Sequence, residues 1–143
     1  NETIAFQILD VIYIDQMNIR TSNHGRNFDA LSFRFCADTI IECNGVQTEF
    51  TDNTMGYFPS GTDYTRISKR DNMIVIHFKT FNYHSNEIEY FKPENPQKYA
   101  ELFKEIHSCW NRKDVSYKHI SSAILNKIFA ELYGDNKKAY NNI

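Results

Sequence analysis

Two polar side chains of the kind that bind small molecules follow a tight turn near the middle of the chain. The segment MGYFPSGTDYTRIS, residues 55–68, contains a Pro-Ser-Gly turn at 59–61, and the alternating run after it carries Tyr64 and Arg66. Side chains two residues apart in a strand lie on the same face of a sheet, so we expect these two to share a face. If that face points inward, both are candidates for contact with a small molecule. The alternative for each is a packed side chain with a backbone partner.

A histidine in the next strand-like run is a further candidate. In MIVIHF, residues 73–78, His77 shares one face with Met73 and Val75, and the apolar residues between them point the other way. The sequence alone does not determine which of the two faces points inward. A hydrogen-bonded structural histidine is the alternative to a ligand contact.

Signatures of catalysis are absent from the sequence. It contains no Gly-x-Ser-x-Gly elbow, no His-Glu-x-x-His and no Gly-rich phosphate loop. Cys36, Cys43 and Cys109 match neither a disulfide framework nor a Cys-x-x-Cys metal site, which favours free thiols in a reducing cytoplasm. We therefore expect a cytoplasmic protein that is not an enzyme and uses no cofactor.

Composition and charge limit the partners of the chain. A length of 143 residues with 41% hydrophobic and 15% aromatic residues suits one globular domain. The formal net charge of -2 gives the chain itself no general attraction for DNA or an anionic membrane. No apolar run approaches the roughly 20 residues of a membrane span, and we expect neither a signal peptide nor an anchor.

The elements that position these candidates are short strands in the first part of the chain. Between residue 4 and about residue 81, runs of alternating apolar and polar residues are separated by turn residues. Asn44-Gly45 predicts a two-residue hairpin, because both residues tolerate positive φ. The polar stretch KRDN at 69–72 predicts another turn. Six or more such strands indicate an antiparallel sandwich or a small barrel.

Two amphipathic helices are predicted after about residue 92. Asn95 can cap the first helix and Pro96 can occupy its first position. Its apolar face consists of Tyr99, Leu102, Phe103, Ile106 and Trp110. A second helix is predicted over roughly 116–133, with Gly134 as its stop. Its apolar stripe consists of Ile120, Ile124, Leu125, Ile128, Phe129 and Leu132.

The order of these pieces resembles the N-terminal sensing and dimerisation domain of AraC-type bacterial transcription regulators. The resemblance covers roughly residues 19–133, and its most specific pieces are the Asn44-Gly45 hairpin, the Pro-x-Gly-x-x-Tyr turn that ends at Tyr64, and the strand that ends in His77-Phe78. It implies a mainly β fold with C-terminal helices: a cupin-like antiparallel β-barrel (a double-stranded β-helix or jelly roll) followed by a two-helix hairpin.

The resemblance also implies a division of the chain. Residues 1–19 would form an N-terminal arm or first strand, residues 20–92 the barrel, residues 93–133 the two helices of dimerisation, and residues 134–143 a linker or tail. The C-terminal pair of helix-turn-helix units that binds DNA in this family has no counterpart here. We therefore expect a fragment of a regulator or a stand-alone homologue of its sensor, with DNA bound only through that absent domain.

Metal-binding cupins, the wider family, hold a metal with three histidines and a glutamate. Aligned on their motifs, this chain offers His24, Arg26, Ala30 and Tyr64 at the four positions. Only the first can ligate a cation well, so the resemblance implies no metal. A surface arginine and a solvated loop histidine are the alternatives for Arg26 and His24. The predicted ligand-binding residues are His24, Arg26, Tyr64, Arg66 and His77.

The apolar stripe of the second helix is wider than one narrow contact with a barrel requires. AraC-type sensor domains commonly dimerise through this helix, which implies a homodimer. The predicted interface residues are Ile120, Ile124, Leu125, Ile128 and Leu132.

The sequence therefore predicts a regulatory domain that binds a small-molecule effector, such as a sugar or an organic acid, in its barrel. Residues 4–19 are a candidate moving part, because they precede the barrel and could close over its mouth. Two alternatives stay open: a cupin enzyme with an altered metal site, and a pure dimerisation module without an effector.

Overall fold

The chain folds into an antiparallel sheet followed by two helices. A computed structural model describes residues 3–141, with side chains as far as residue 136. The elements in chain order are β1 (Phe6–Asn23), β2 (Asp29–Cys43), β3 (Val46–Phe50), β4 (Thr54–Phe58), β5 (Tyr64–Thr80), β6 (Glu89–Phe91), α1 (Pro96–Arg112) and α2 (Tyr117–Asn141). The predicted class, mainly β with C-terminal helices, is confirmed.

The six strands form one sheet that does not close. Its order is β1-β5-β2-β4-β6, and β3 pairs with β2 alongside β4. Within residues 3–141, β1 pairs only with β5 and β6 only with β4, so the two ends of the sheet do not meet. The predicted closed barrel is therefore wrong. Closure requires the first and last strands to pair, whereas here the 18-residue β1 and the three-residue β6 lie at opposite edges.

Three long strands replace several of the short ones that the sequence predicted. β5 runs for 17 residues through the stretch 69–72, where a turn was expected. The polar residues there are held inside the sheet: Asp71 forms ion pairs with Arg34 and Arg66, and Arg70 pairs with Asp15. The charged side chains of this stretch therefore form ion pairs within the sheet and do not mark a turn.

The hairpin between β2 and β3 has the predicted two-residue loop. Asn44 and Gly45 have φ values of 52° and 77°, and the flanking residues Cys43 and Val46 are paired. Positive φ at both loop residues is what a type I′ turn requires, since its twist matches that of the strands.

Residues 1–19 were predicted to form an N-terminal arm or a first strand, and the structure shows a strand, β1, that begins at Phe6. β1 is paired with β5 from Phe6 opposite Thr80 to Asn23 opposite Tyr64, with one register shift between Ile8 and Asp10. The pairing holds residues 6–19 in the sheet, and their movement on binding of an effector stays a prediction.

Both helices pack against one face of the sheet. Phe103 of α1 lies 5.7 Å from Phe33 of β2, and Phe129 of α2 lies 5.8 Å from Phe78 of β5, measured between ring centroids. α1 begins at Pro96 as predicted, but the Asn95 side chain makes no capping hydrogen bond. Across residues 3–141, neither helix combines the length and the apolar character needed to cross a membrane.

The apolar stripe of α2 is not a free surface. Ile124, Leu125, Ile128 and Leu132 are between 0% and 7% exposed, because they pack into the core formed by the sheet and α1. The prediction that these four residues form a dimer interface is therefore wrong. Of the predicted interface residues only Ile120, 49% exposed, lies on the surface.

α2 continues past Gly134, where the sequence predicted its end, as far as Asn141. Contacts one residue beyond the glycine hold the helix to α1: the Tyr99 hydroxyl donates to Asp135 at 2.6 Å, and the Lys98 ammonium lies 2.8 Å from the same carboxylate. The predicted linker over 134–143 is thus helical through residue 141, and residues 142–143 lie outside the described residues.

Candidate ligand-binding cavity

A cavity of about 170 Å³ lies against the face of the sheet opposite the helices. Its wall combines apolar side chains with charged and polar ones, which come from β1, β2, β4, β5 and the loop before β2. The apolar members are Ile12, Ile14, Ala30, Phe58, Met73 and Val75. The polar members are Thr21, Asn23, Arg26, Ser32, Arg34, Tyr64, Arg66 and His77.

Strand alternation decides which side chains reach this cavity. On β2, Ser32 and Arg34 face it, while Leu31 and Phe33 pack in the core under the helices. On β5 the face with Met73, Val75 and His77 is the one that lines the cavity. The sequence had left that choice open.

A buried carboxylate sits between two arginines at one end of the cavity. The Arg34 Nε lies 3.0 Å from Asp71 Oδ1, and the Arg66 Nη1 lies 2.9 Å from Asp71 Oδ2. Asp71 is fully buried, and Arg34 and Arg66 are 1% and 8% exposed. Ser32 and Gln16 accept further hydrogen bonds from the two guanidiniums. The cluster is well paired, as buried charges must be.

Aromatic rings complete the surroundings of Arg34. Its guanidinium carbon lies 4.5 Å from the centroid of the Phe50 ring and 5.9 Å from that of Phe58. Burial lowers the pKa of Arg34, while the neighbouring Asp71 raises it. With the carboxylate and an aromatic face both in contact, the guanidinium retains its charge in the interior.

Arg26 and Tyr64, two of the predicted ligand-binding residues, meet at the wall of the cavity. The Arg26 Nη2 donates to the Tyr64 hydroxyl oxygen at 2.7 Å, and its guanidinium lies 5.0 Å from the centroid of the Phe28 ring. Burial raises the pKa of Tyr64, although the positive charges of Arg26, Arg34 and Arg66 lower it. A protonated hydroxyl that already accepts one bond keeps its own hydrogen for a ligand.

His77 lines the same cavity with its ring 4.5 Å from that of Phe28, measured between centroids. Burial lowers the pKa of His77, and the positive charge of Arg26 lowers it further. A neutral imidazole offers one donor and one acceptor. Four of the five predicted ligand-binding residues, Arg26, Tyr64, Arg66 and His77, therefore share one wall.

His24 does not belong to this wall. It is exposed in the loop between β1 and β2 and is not among the residues that line the cavity. Of the positions aligned with cupin metal ligands, Arg26, Ala30 and Tyr64 do line it. Within residues 3–136, no three His, Cys, Asp or Glu side chains converge as a metal site would require.

Sequence reasoning missed three functional candidates. Arg34 stood on the polar face of an alternating strand, and that signal could have identified it. The charged stretch around Asp71 predicted a turn, which concealed this residue. Thr21 lines the cavity and gave no signal at all; its Oγ1 is buried within the protein and has no hydrogen-bond partner among the described residues. A cavity with three arginines and the Tyr64 hydroxyl in its wall can hold a small polar molecule through several donors.

The fold is shared with solved structures of bacterial regulators, whereas no family model and no curated protein matches the sequence. Apo ToxT from Vibrio cholerae superposes with a TM-score of 0.60 at 11% identity, covering 99% of this chain and 58% of that one. The AraC-like transcriptional activator CuxR gives 0.60 at 11% identity, covering 85% of this chain and 51% of that one. ToxT with a bound unsaturated fatty acid gives 0.58 at 11% identity, covering 100% and 57%. The chain thus spans little more than half of the length of these structures.

Proposed function

We propose that the chain is the effector-binding domain of an AraC-type transcription regulator, acting in the cytoplasm and coupled to DNA through a separate helix-turn-helix domain. The observation that carries this proposal is the cavity with Arg26, Tyr64 and Arg66 in its wall, on a fold shared with ToxT and CuxR. CuxR is a transcriptional activator, and ToxT has been solved with a fatty acid bound, so regulators of this fold do hold small molecules.

The strands supply a path from the cavity to the helices. Arg34 lines the cavity, while its neighbour Phe33 on the opposite face packs against Phe103 of α1. A ligand that moves the strand at Arg34 therefore moves a residue in contact with the helix pair. The ligand can shift the position of the helices only by the difference between its affinities for the two arrangements.

Thermal unfolding with a set of sugars, organic acids and aromatic metabolites tests the proposal. A compound that binds only the native chain must raise the midpoint of unfolding. Ala30→Leu fills part of the cavity without a change of charge, and we expect it to reduce the shift caused by an active compound. Ala123→Leu is the matched control, because this alanine is exposed on α2. If no compound shifts the midpoint of the folded wild type, a structural dimerisation module is favoured instead.

The homodimer stays a prediction. Ile120 is the one residue of the predicted stripe that lies on the surface, so it is the residue to test. If α2 pairs with its mate through this face, Ile120→Asp gives a monomer in light scattering and leaves the fold intact. Ile124→Asp is the contrasting variant, since a carboxylate at a 7% exposed core position unfolds the chain.

A further inference from the structure

The charges that line the cavity do not balance. Arg26, Arg34 and Arg66 are in its wall, and among residues 3–136 Asp71 is the one carboxylate that forms an ion pair with any of them. Three guanidiniums and one carboxylate give these groups a net charge of +2, because Arg34 and Arg66 share the single carboxylate of Asp71 and Arg26 has no acidic partner among the described residues. Because a desolvated charge is unfavourable without a counter-charge, the cavity favours a ligand that brings negative charge.

The hydrogen-bonding groups that remain in the cavity are mainly donors. The Tyr64 hydroxyl accepts from Arg26 and keeps its own hydrogen, and the neutral His77 ring offers one donor and one acceptor. The nearby acceptors Asp71 and Ser32 already receive bonds from arginines. Carboxylate oxygens only accept, whereas each hydroxyl of a sugar also donates. The free donors therefore suit a carboxylate better than a sugar.

Size and lining restrict the ligand further. The volume of about 170 Å³ lies below the roughly 300–1,000 Å³ of pockets for drug-sized ligands. This volume favours a compact ligand over a long acyl chain. The apolar wall formed by Ile12, Ile14, Met73 and Val75 suits a few methylene carbons between polar ends.

From these observations we propose that the cavity binds a short dicarboxylate, a compact molecule with a negative group at each end of a short carbon chain. The inference rests on the proposed effector-binding function and names the chemical class of the effector. Two negative groups match the excess of two positive charges, one in the cluster where Arg34 and Arg66 share Asp71 and one at Arg26.

Isothermal titration calorimetry with succinate as the probe tests the proposal. The comparison compounds are its monomethyl ester with one charge, succinamide with none, and ribose as a neutral polyol, all at equal ionic strength. We expect succinate to bind, the monoester to bind about tenfold more weakly because one charge-assisted contact is lost, and the two neutral compounds not to bind.

Substitutions of residues in the cavity wall test whether succinate binds in the cavity. Arg26→Gln removes one of the two charges from a partly exposed residue and should weaken succinate binding about tenfold. Arg20→Gln makes the same change of charge at an exposed position outside the cavity and should leave the affinity unchanged. Tyr64→Phe removes the hydroxyl whose hydrogen is available to the ligand and should weaken binding several-fold, which gives a second readout if the first variant unfolds.

The outcomes separate this inference from the proposed function. If ribose or succinamide binds and succinate does not, the inference is overturned while an effector-binding domain stands. If succinate binds equally to wild type, Arg26→Gln and Tyr64→Phe, the anion is bound elsewhere and the inference is again overturned. If neither these probes nor any compound of the wider set binds the folded chain, both proposals fail.

Discussion

The two faces of the sheet have opposite chemistry although the same strands build them. The face under α1 and α2 is apolar and dry, with Phe33, Ile76 and Phe103 almost completely buried. The other face carries a buried carboxylate, its arginine partners and a cavity. Burial of apolar surface stabilises the fold in proportion to area, whereas buried charges stabilise it little and need partners. We infer from this difference that the apolar face under the helices stabilises the domain, whereas the face with the cavity is available for binding.

The largest expected effect concerns the apolar face. Phe103→Ala removes a fully buried ring, and we expect a loss of about 3 to 5 kcal/mol in the free energy of unfolding. Ile14→Ala on the cavity face is the contrast: its side chain is half-buried beside open space, so we expect a loss of at most about 2 kcal/mol. Urea denaturation measures both. Equal losses would contradict the assignment of stability to the helix side.

The second prediction concerns the charge cluster. Asp71→Asn leaves Arg34 and Arg66 buried without a counter-charge, and breaking such a buried pair should cost about 3 kcal/mol in urea denaturation. Asp15→Asn breaks an exposed ion pair with Arg70, and should change the free energy of unfolding by less than about 1 kcal/mol. A similar small effect in both variants would show that the interior arginines are solvated.

Alanine substitutions at two glycines compare the effect of side-chain packing on the cavity side of the sheet with the effect of helix propensity in α2. A β-carbon at Gly56 would lie 2.6 Å from Phe58 and 2.9 Å from Phe50, so Gly56→Ala should destabilise the chain by about 1 to 3 kcal/mol. A β-carbon at Gly134, within α2, would meet nothing within 4 Å. Gly134→Ala should therefore stabilise the chain by about 0.5 to 1 kcal/mol. Thermal melts of the two variants should shift in opposite directions, and a common direction would contradict this account of Phe50 and Phe58.

The smallest expected effect is a pH dependence on the cavity side. Because the folded-state pKa of His77 is lowered, the unfolded chain binds a proton more readily than the native one. The associated stability is present above the ordinary pKa of about 6.5 and is lost as the pH falls from there toward the folded-state pKa. His77→Gln should therefore flatten the decline of the melting midpoint on acidification. An unchanged pH profile in the variant would mean that other groups cause the decline.

Local signals in the sequence predicted the features that depend on neighbouring residues. The positive φ that Asn44 and Gly45 tolerate predicted the hairpin, and alternation in β2 predicted that Leu31 and Phe33 share a face. The turn before Tyr64 and the shared face of Tyr64 and Arg66 likewise placed two residues of the cavity wall.

Features that depend on distant pairing were beyond the reach of local signals. The charged residues at 69–72 predicted a turn. Asp71 in this stretch pairs with Arg34, and because Arg34 lies 37 residues away in the chain, the local sequence does not reveal the pair. Closure of the sheet depends on whether β1 meets β6, and nothing in either segment encodes that contact. The burial of Ile124 and Ile128 likewise depends on where the helix packs, since an apolar stripe is the same whether the sheet or a second subunit covers it.

An unclosed sheet leaves β1 with a long row of backbone groups on its outer side, which is the usual starting point for amyloid-like growth. The strand carries its own obstacles to such growth. Asn18 interrupts it with a φ of 52°, and the exposed charged side chains of Asp15 and Arg20 flank that point. A second chain would have to bury these charges and accommodate the positive φ of Asn18 to add a strand there, which disfavours growth of the sheet at this open edge.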